Sequence, residues 1–448
     1  MRVRARRTRV TAAATAAPAA PATPGPRRVQ LLVGGALFVS AFSLRPAITS
    51  LGPLLEEVRT SLGMSGTVAG LLISLPALSF AVFGAAAPRL SRRYGPAAVI
   101  CTGMALVATG LFLRPFAGHT VPFLAAGALA LSGIAVGNVL MPVVVKRWFP
   151  RRVGTMTGLY AMALSCGTAL AAALSVPVTG ALGGDWRLGL AAWGAVGAVA
   201  VLPWLPLVRD RSRHASAAAG AFAGTPATPT GRITGSPTAW ALTVYFGLQS
   251  AAAFVAMGWL PQILRDAGVP ASAAGLMLGV SMAVGVPMSF VLPAIGGRLP
   301  GQGPLVVVLG LFGVVGYTGL WAAPGAAPWV WTVLIGVSNC AFSLALTMIG
   351  MRARTGPGVV RLSAFVQCTG YLLSVPAPIL IGALYQHTGG WDLPVAAMLL
   401  LLVPQIAAGV LAGRDRTVED ELRHGAKAPA PAQPVRGPQG ARLRARDE

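Results

Sequence analysis

One arginine of this chain stands where an arginine is costly. Arg45, in the stretch AFSLRPAITS from Ala41 to Ser50, lies well inside an apolar run that begins near Leu31. An arginine at the centre of a membrane helix costs roughly 2.5 to 3.5 kcal/mol to insert. Its guanidinium carries five donors in a planar fork, suited to oxygen-bearing or anionic groups. Two roles fit. The side chain can bond backbone carbonyls, which the adjacent Pro46 frees by lacking an N–H, or it can contact a solute. Three amides share its apolar setting: Asn138, Gln249 and Asn339. Each needs a partner or water, because an unpaired amide in hydrocarbon costs several kcal/mol. A second tier of polar residues comprises Tyr160, Tyr245, Gln262 and Gln367, with Tyr371 and Trp259, and these suit a site wall or a helix interface equally well.

The twelve Asp and Glu residues fall towards chain ends, loops and helix ends: Glu56, Glu57, Asp185, Asp266 and Asp392 on one side, the others in the 209–237 segment or after residue 412. The four histidines are peripheral too. Proton relays within a membrane commonly use Asp, Glu or His. Either Glu56 or Glu57 serves coupling, then, or the chain has no dedicated proton relay. No Ser/His, His/Glu or Cys/His constellation lies at membrane depth, so the sequence points to no enzyme, no metal and no cofactor. Cys101, Cys166, Cys340 and Cys368 fall inside apolar spans and act as small apolar residues.

The elements that must position these residues are membrane helices. Of 448 residues 55% are hydrophobic and 10% charged, and the mean hydropathy is +0.69, which excludes a water-soluble globular protein. Windows long enough to cross about 30 Å of hydrocarbon, roughly 17 to 25 residues each, recur along the chain. Twelve are expected: 30–52, 67–88, 96–114, 120–145, 153–177, 188–208, 238–263, 272–296, 304–323, 327–351, 358–384 and 392–412. Of the 35 Lys and Arg, 30 fall on the side of the termini and only Arg59, Arg114, Arg187 and Arg265 on the other, with Arg45 between. That bias predicts both termini in the cytoplasm of a bacterial-type plasma membrane. The net charge of +23 is thus a topology signal and not a nucleic-acid footprint.

The organisation that follows is a disordered basic tail over 1–28, six helices over 29–208, a cytoplasmic linker over 209–237, six helices over 238–412 and a cytoplasmic tail over 413–448. The Arg-rich, acid-free first segment also fits an organelle transit peptide. The tails are too short and polar to form the soluble output domain of a sensor. An offset of 205 pairs Ala69 with Ala274, Gly70 with Gly275, Leu71 with Leu276, Pro88 with Pro293, Arg93 with Arg298, Arg147 with Arg352 and Trp186 with Trp391, which points to an internal repeat.

Two parallel six-helix repeats resemble the major facilitator superfamily. The superfamily loop signature G-x-L-A-D-R-x-G-R is partly matched by Pro88-Arg89-Leu90-Ser91-Arg92-Arg93-Tyr94-Gly95-Pro96, without its acid. The stretches SLRPAITSLGPLLEEVR, GIAVGNVLMPVVVKRWFP, YFGLQSAAAFVAMGWLPQIL, ALTMIGMRART and LSAFVQCTGYLLS resemble the cyanate and 2-nitroimidazole transporter branch. The resemblance implies an all-α fold of two pseudo-symmetric bundles whose first, fourth, seventh and tenth helices line a central cavity. Arg45, Asn138, Gln249 and Asn339 are then the expected solute contacts, with Tyr160, Tyr245, Gln262 and Gln367 behind them. It also implies alternating-access transport of a small anionic or polar, cyanate-like solute, with export of nitroimidazole-like drugs as the alternative. The expected partners are that solute and the bilayer, with no nucleic acid, and the protein is expected to act as a monomer.

Overall fold

The structure, a computed structural model, describes residues 27–149, 152–209 and 232–425. The expected disordered tail, most of the linker and the chain beyond residue 425 lie outside these residues. Among the described residues, twelve helices are long and apolar enough to cross a membrane. They are α1 (Val29–Ser61), α2 (Gly66–Ser91), α3 (Pro96–Phe116), α4 (Thr120–Val145), α5 (Thr155–Ala181) and α6 (Trp186–Val208), then α7 (Pro237–Asp266), α8 (Ala271–Gly296), α9 (Gly303–Ala322), α10 (Pro328–Met351), α11 (Gly358–Thr388) and α12 (Asp392–Ala412). Most bounds fall within a few residues of the sequence expectation. The exception is α1, which continues as short helical segments to Ser61, so that Glu56, Glu57 and Arg59 extend the helix and do not sit in a loop.

Local chemistry sets the starts. Pro96, Pro237 and Pro328 each open a helix, where the missing N–H costs nothing. Ser236 caps α7 by accepting from the Ala239 N–H at 3.1 Å, and Ser65 caps α2 by accepting from Val68.

Four helices break at mid-length. In α1, helix runs Arg27–Leu44 and resumes at Pro46, with Arg45 at the joint. In α10 it runs Pro328–Asn339 and resumes at Ala341. The joints in α8 and α11 are Val284 and Val375. Non-helical backbone at membrane depth is tolerated where protein or a cavity covers it. At the α1 joint, Pro46 leaves the Phe42 carbonyl without its usual donor, and Gly167 of α5 lies against that oxygen, so close that a Cβ on it would stand 2.1 Å away. Thr49 fastens the same interface, its hydroxyl donating to the Thr168 carbonyl at 3.2 Å.

The two six-helix halves meet tightly at one face, opposite the face that carries Arg27, Arg209 and Arg232. Gly66 and Gly70 of α2 lie against the backbone of Gly382 and Pro378 of α11, at distances that leave no room for a Cβ. Such small-residue contacts let helix backbones approach closely. The α2–α11 seam is further joined by the Thr67 hydroxyl donating to Gln386 at 3.3 Å and by Ser74 donating to the Val375 carbonyl at 2.7 Å. Across α1 and α7, Arg265 makes a two-pronged ion pair with Glu57 at 2.9 and 3.0 Å. Beside it Asp266 accepts from Tyr385 and Trp391, two stacked rings 4.3 Å apart.

Two arginines expected at the faces are buried instead. Arg352 donates to the Ala412 and Gly413 carbonyls, both at 2.9 Å, and to Gln302, and so ties α10 to the end of α12. Arg114, expected at the outer face at the end of the 96–114 span, is 3% exposed and donates to the Ala47 carbonyl at 3.1 Å. It is the first residue of a 3₁₀ turn, Arg114–Phe116, that follows the α-helical stretch ending at Leu113. The chain after α12 also folds further than a tail, forming α13 (Val418–Gly425). There Glu421 accepts from Ser236 and Thr238 at the start of α7, while Glu419 accepts from the backbone of Arg354. An acid at a helix N-terminus is stabilising.

Candidate solute site

The breaks in α1, α8 and α10 converge on a cavity of about 180 Å³ between the halves. From the first half it takes Arg45, Phe80, Ser165 and Thr168, and from the second Ser250, Phe254, Ser281, Asn339, Phe342 and Tyr371. Arg45 is half-buried, and among the described residues its guanidinium makes no hydrogen bond or ion pair. Its backbone carbonyl accepts from the Ile48 and Thr49 N–H groups. Of the two roles open to Arg45 in the sequence, the carbonyl-bonded one therefore has no bond among the described residues. Tyr371 of α11 lines the same cavity as Arg45.

Asn339 is the one predicted amide on the cavity wall. Its Nδ2 is buried without a partner, as are the hydroxyl oxygens of Ser250 and Ser281 beside it. Behind it stands Gln249, 1% exposed, which donates to the Asn339 carbonyl at 3.2 Å and accepts from Gln405 of α12 at 2.6 Å. Gln249 is not itself a lining residue and instead fixes the joint of α10. Asn138 accepts from the Tyr160 hydroxyl at 3.3 Å, and neither lines the cavity. Tyr245 is packed in the second half's core, its ring against Gly409. Gln262 donates to Asp266 near the closed face, and Gln367 to Ser363 one turn away. The structure thus brings Arg45, Asn339 and Tyr371 to one cavity, while Asn138, Gln249, Tyr160, Tyr245, Gln262, Gln367 and Trp259 stand outside its wall.

Sequence reasoning missed most of the wall. Phe80, Phe254 and Phe342 gather around Tyr371 and Phe246, with Phe80–Tyr371 centroids 5.3 Å apart and Phe246–Phe342 5.4 Å apart. Ser250, Phe254 and Met257 fall on one face of α7 at helical spacing, and that was the available signal. It does not stand out because helical hydroxyls often satisfy their own backbone, as Thr168 does with Leu164. No Asp, Glu or His lines the cavity, so the Arg45 charge sets its field. The arrangement can take a small solute with one oxygen-rich or anionic end against the guanidinium and a flat apolar part against the rings.

Twelve spans in two halves around a central cavity define a membrane transporter, not an enzyme. The Major Facilitator Superfamily profile matches residues 37–357, and the chain belongs to that superfamily. It is 34% identical over 389 residues to the uncharacterized transporter YycB of Bacillus subtilis (strain 168), covering 86% of this chain and 94% of that one. It is 31% identical over 398 residues to the 2-nitroimidazole transporter of Escherichia coli (strain K12), 88% and 98% covered. To the cyanate transport protein CynX of the same organism it is 28% identical over 371 residues, 82% and 93% covered. Among solved structures, a bacterial homolog of the human lysosomal transporter Spinster, inward-facing and occupied, superposes with a TM-score of 0.68 at 15% identity, covering 86% of this chain and 96% of that one. At that identity the likeness is one of fold.

Proposed function

We propose that the protein carries a small anionic or polar, cyanate-like solute across a bacterial plasma membrane by alternating access, as a monomer with both termini in the cytoplasm. The observation that carries this reading is the Arg45 guanidinium, held at a helix joint on the wall of a cavity without acids and free of hydrogen bonds to the described residues. A charge placed so is attractive to an anion entering between the halves and becomes compensated only when one is bound. The lysine and arginine bias supports the orientation. With that orientation the tightly packed face is the outer one, and the structure is a state closed to the outside.

The aromatic wall favours a second reading, export of nitroimidazole-like planar drugs, since a flat ring can stack between Phe80, Phe254 and Tyr371 while its nitro oxygens meet Arg45. Neither reading uses an intramembrane acid, and both predict transport without a proton relay through the cavity.

Proteoliposomes decide between them. Uptake of radiolabelled cyanate and of radiolabelled 2-nitroimidazole is measured at fixed pH with no imposed proton gradient. Saturable cyanate uptake supports the first reading. Saturable nitroimidazole uptake without cyanate uptake supports the second, and uptake of neither by folded protein contradicts both.

A further inference from the structure

Arg114 has no role in the site described above, yet it is a fully buried charge whose donors are mostly unmatched among the described residues. Its side chain is sealed from solvent at 3% exposure, and no carboxylate of the described residues is paired with it. One donor goes to the Ala47 carbonyl, and the face of Phe123 lies 4.6 Å from the guanidinium carbon. Nε and Nη2 are buried with no partner. A guanidinium has five donors and stays charged, and leaving such a charge uncompensated inside a protein costs several kcal/mol.

The group faces a second, smaller cavity of about 20 Å³. That is room for one water-sized guest, which needs roughly 10 to 15 Å³ by the same measure. Ala47, Ile48, Leu72 and Gly127 wall it from the first half, and Phe254 and Met257 from the second. Phe254 and Met257 also wall the Arg45 cavity, so the two spaces are consecutive. The smaller lies towards the closed face, where Gly52 is seated against the Met257 carbonyl. The Arg114 pocket contains no acid, and every other lining residue is uncharged.

We propose that Arg114 binds a small monovalent inorganic anion of halide size, a second anion station between the Arg45 cavity and the closed face. The anion accepts from Nε and Nη2, cancels the buried charge and is held where the halves meet. An anion leaving Arg45 towards that face therefore passes from one fixed cation to the next. The station stands whether or not Arg45 contacts the transported solute.

Purified protein is titrated with bromide in place of gluconate at constant ionic strength, and Tm is followed for wild type, Arg45→Ala, Arg45→Ala/Arg114→Gln and Arg45→Ala/Gly127→Val. Gly127→Val leaves Arg114 in place and fills the pocket, since the Gly127 backbone has space for a Cβ, the nearest atom standing 3.8 Å away. The expected result is a saturable rise in Tm with bromide in Arg45→Ala that both double variants lose. No rise in Arg45→Ala, as a pocket filled by water would give, overturns the proposal, and so does a rise that survives in Arg45→Ala/Gly127→Val. Equal rises in wild type and Arg45→Ala count against Arg45 as an anion contact and leave the Arg114 station standing.

Discussion

Arg45 and its neighbours work through charge and donor geometry. A lysine keeps the charge but loses the planar fork, which removes one charge-assisted bond to the solute. Arg45→Lys is therefore expected to raise the KM for transport about tenfold, the equivalent of about 1.4 kcal/mol, read from concentration-dependent uptake. Asn339→Asp adds an anion to a wall that has none, and uptake of an anionic solute should fall steeply while a neutral nitroimidazole is spared. Gln249→Leu removes the bonds to Asn339 and Gln405 and strands the Gln405 amide and the Asn339 carbonyl. Each stranded buried group costs about 1 to 3 kcal/mol, to be seen as a lower Tm in detergent. Arg45 was legible in the sequence because a charge in a span is conspicuous. The cavity's serines and phenylalanines were not, because in an apolar helix they resemble packing residues. Gln249 was noticed for the right reason, the cost of an unpaired amide, but its partner is Gln405, and an intramolecular pairing between distant helices leaves no mark in either stretch.

At the level of elements, the joints in α1 and α10 place Arg45 and Asn339, and the α1 joint depends on Gly167. A valine there meets the Phe42 carbonyl and must push α5 from α1. Gly167→Val should lower transport more than it lowers expression, which parallel uptake and quantitative blotting would show. The twelve spans were legible because each must be long and apolar to cross the bilayer. The joints were legible only in part: Pro46 follows Arg45, Pro376 follows Val375, and Gly285 and Pro287 follow Val284, whereas the Cys340 joint has no proline or glycine beside it. The burial of Arg114 escaped for a related reason. A charge at a helix end reads as a face residue unless its side chain is known to turn inward.

For the whole molecule, closure of one face rests on backbone contact between α2 and α11 and on the Glu57–Arg265 pair. Gly382→Val inserts methyl groups where Gly66 now touches, and should hold the halves apart at that face. Spin labels at Thr60 and His387, both exposed, should then report a longer distance than in wild type. The two-fold organisation was legible through the 205-residue offset. The conformational state was not, because one sequence must serve both the open and the closed arrangement. The measurement that bears most directly on the account is counterflow: vesicles preloaded with unlabelled cyanate, then diluted into labelled cyanate, with wild type beside Arg45→Ala at matched protein density. The account predicts a transient accumulation of label by wild type that Arg45→Ala abolishes while its Tm stays near wild type. Undiminished counterflow through folded Arg45→Ala would contradict it.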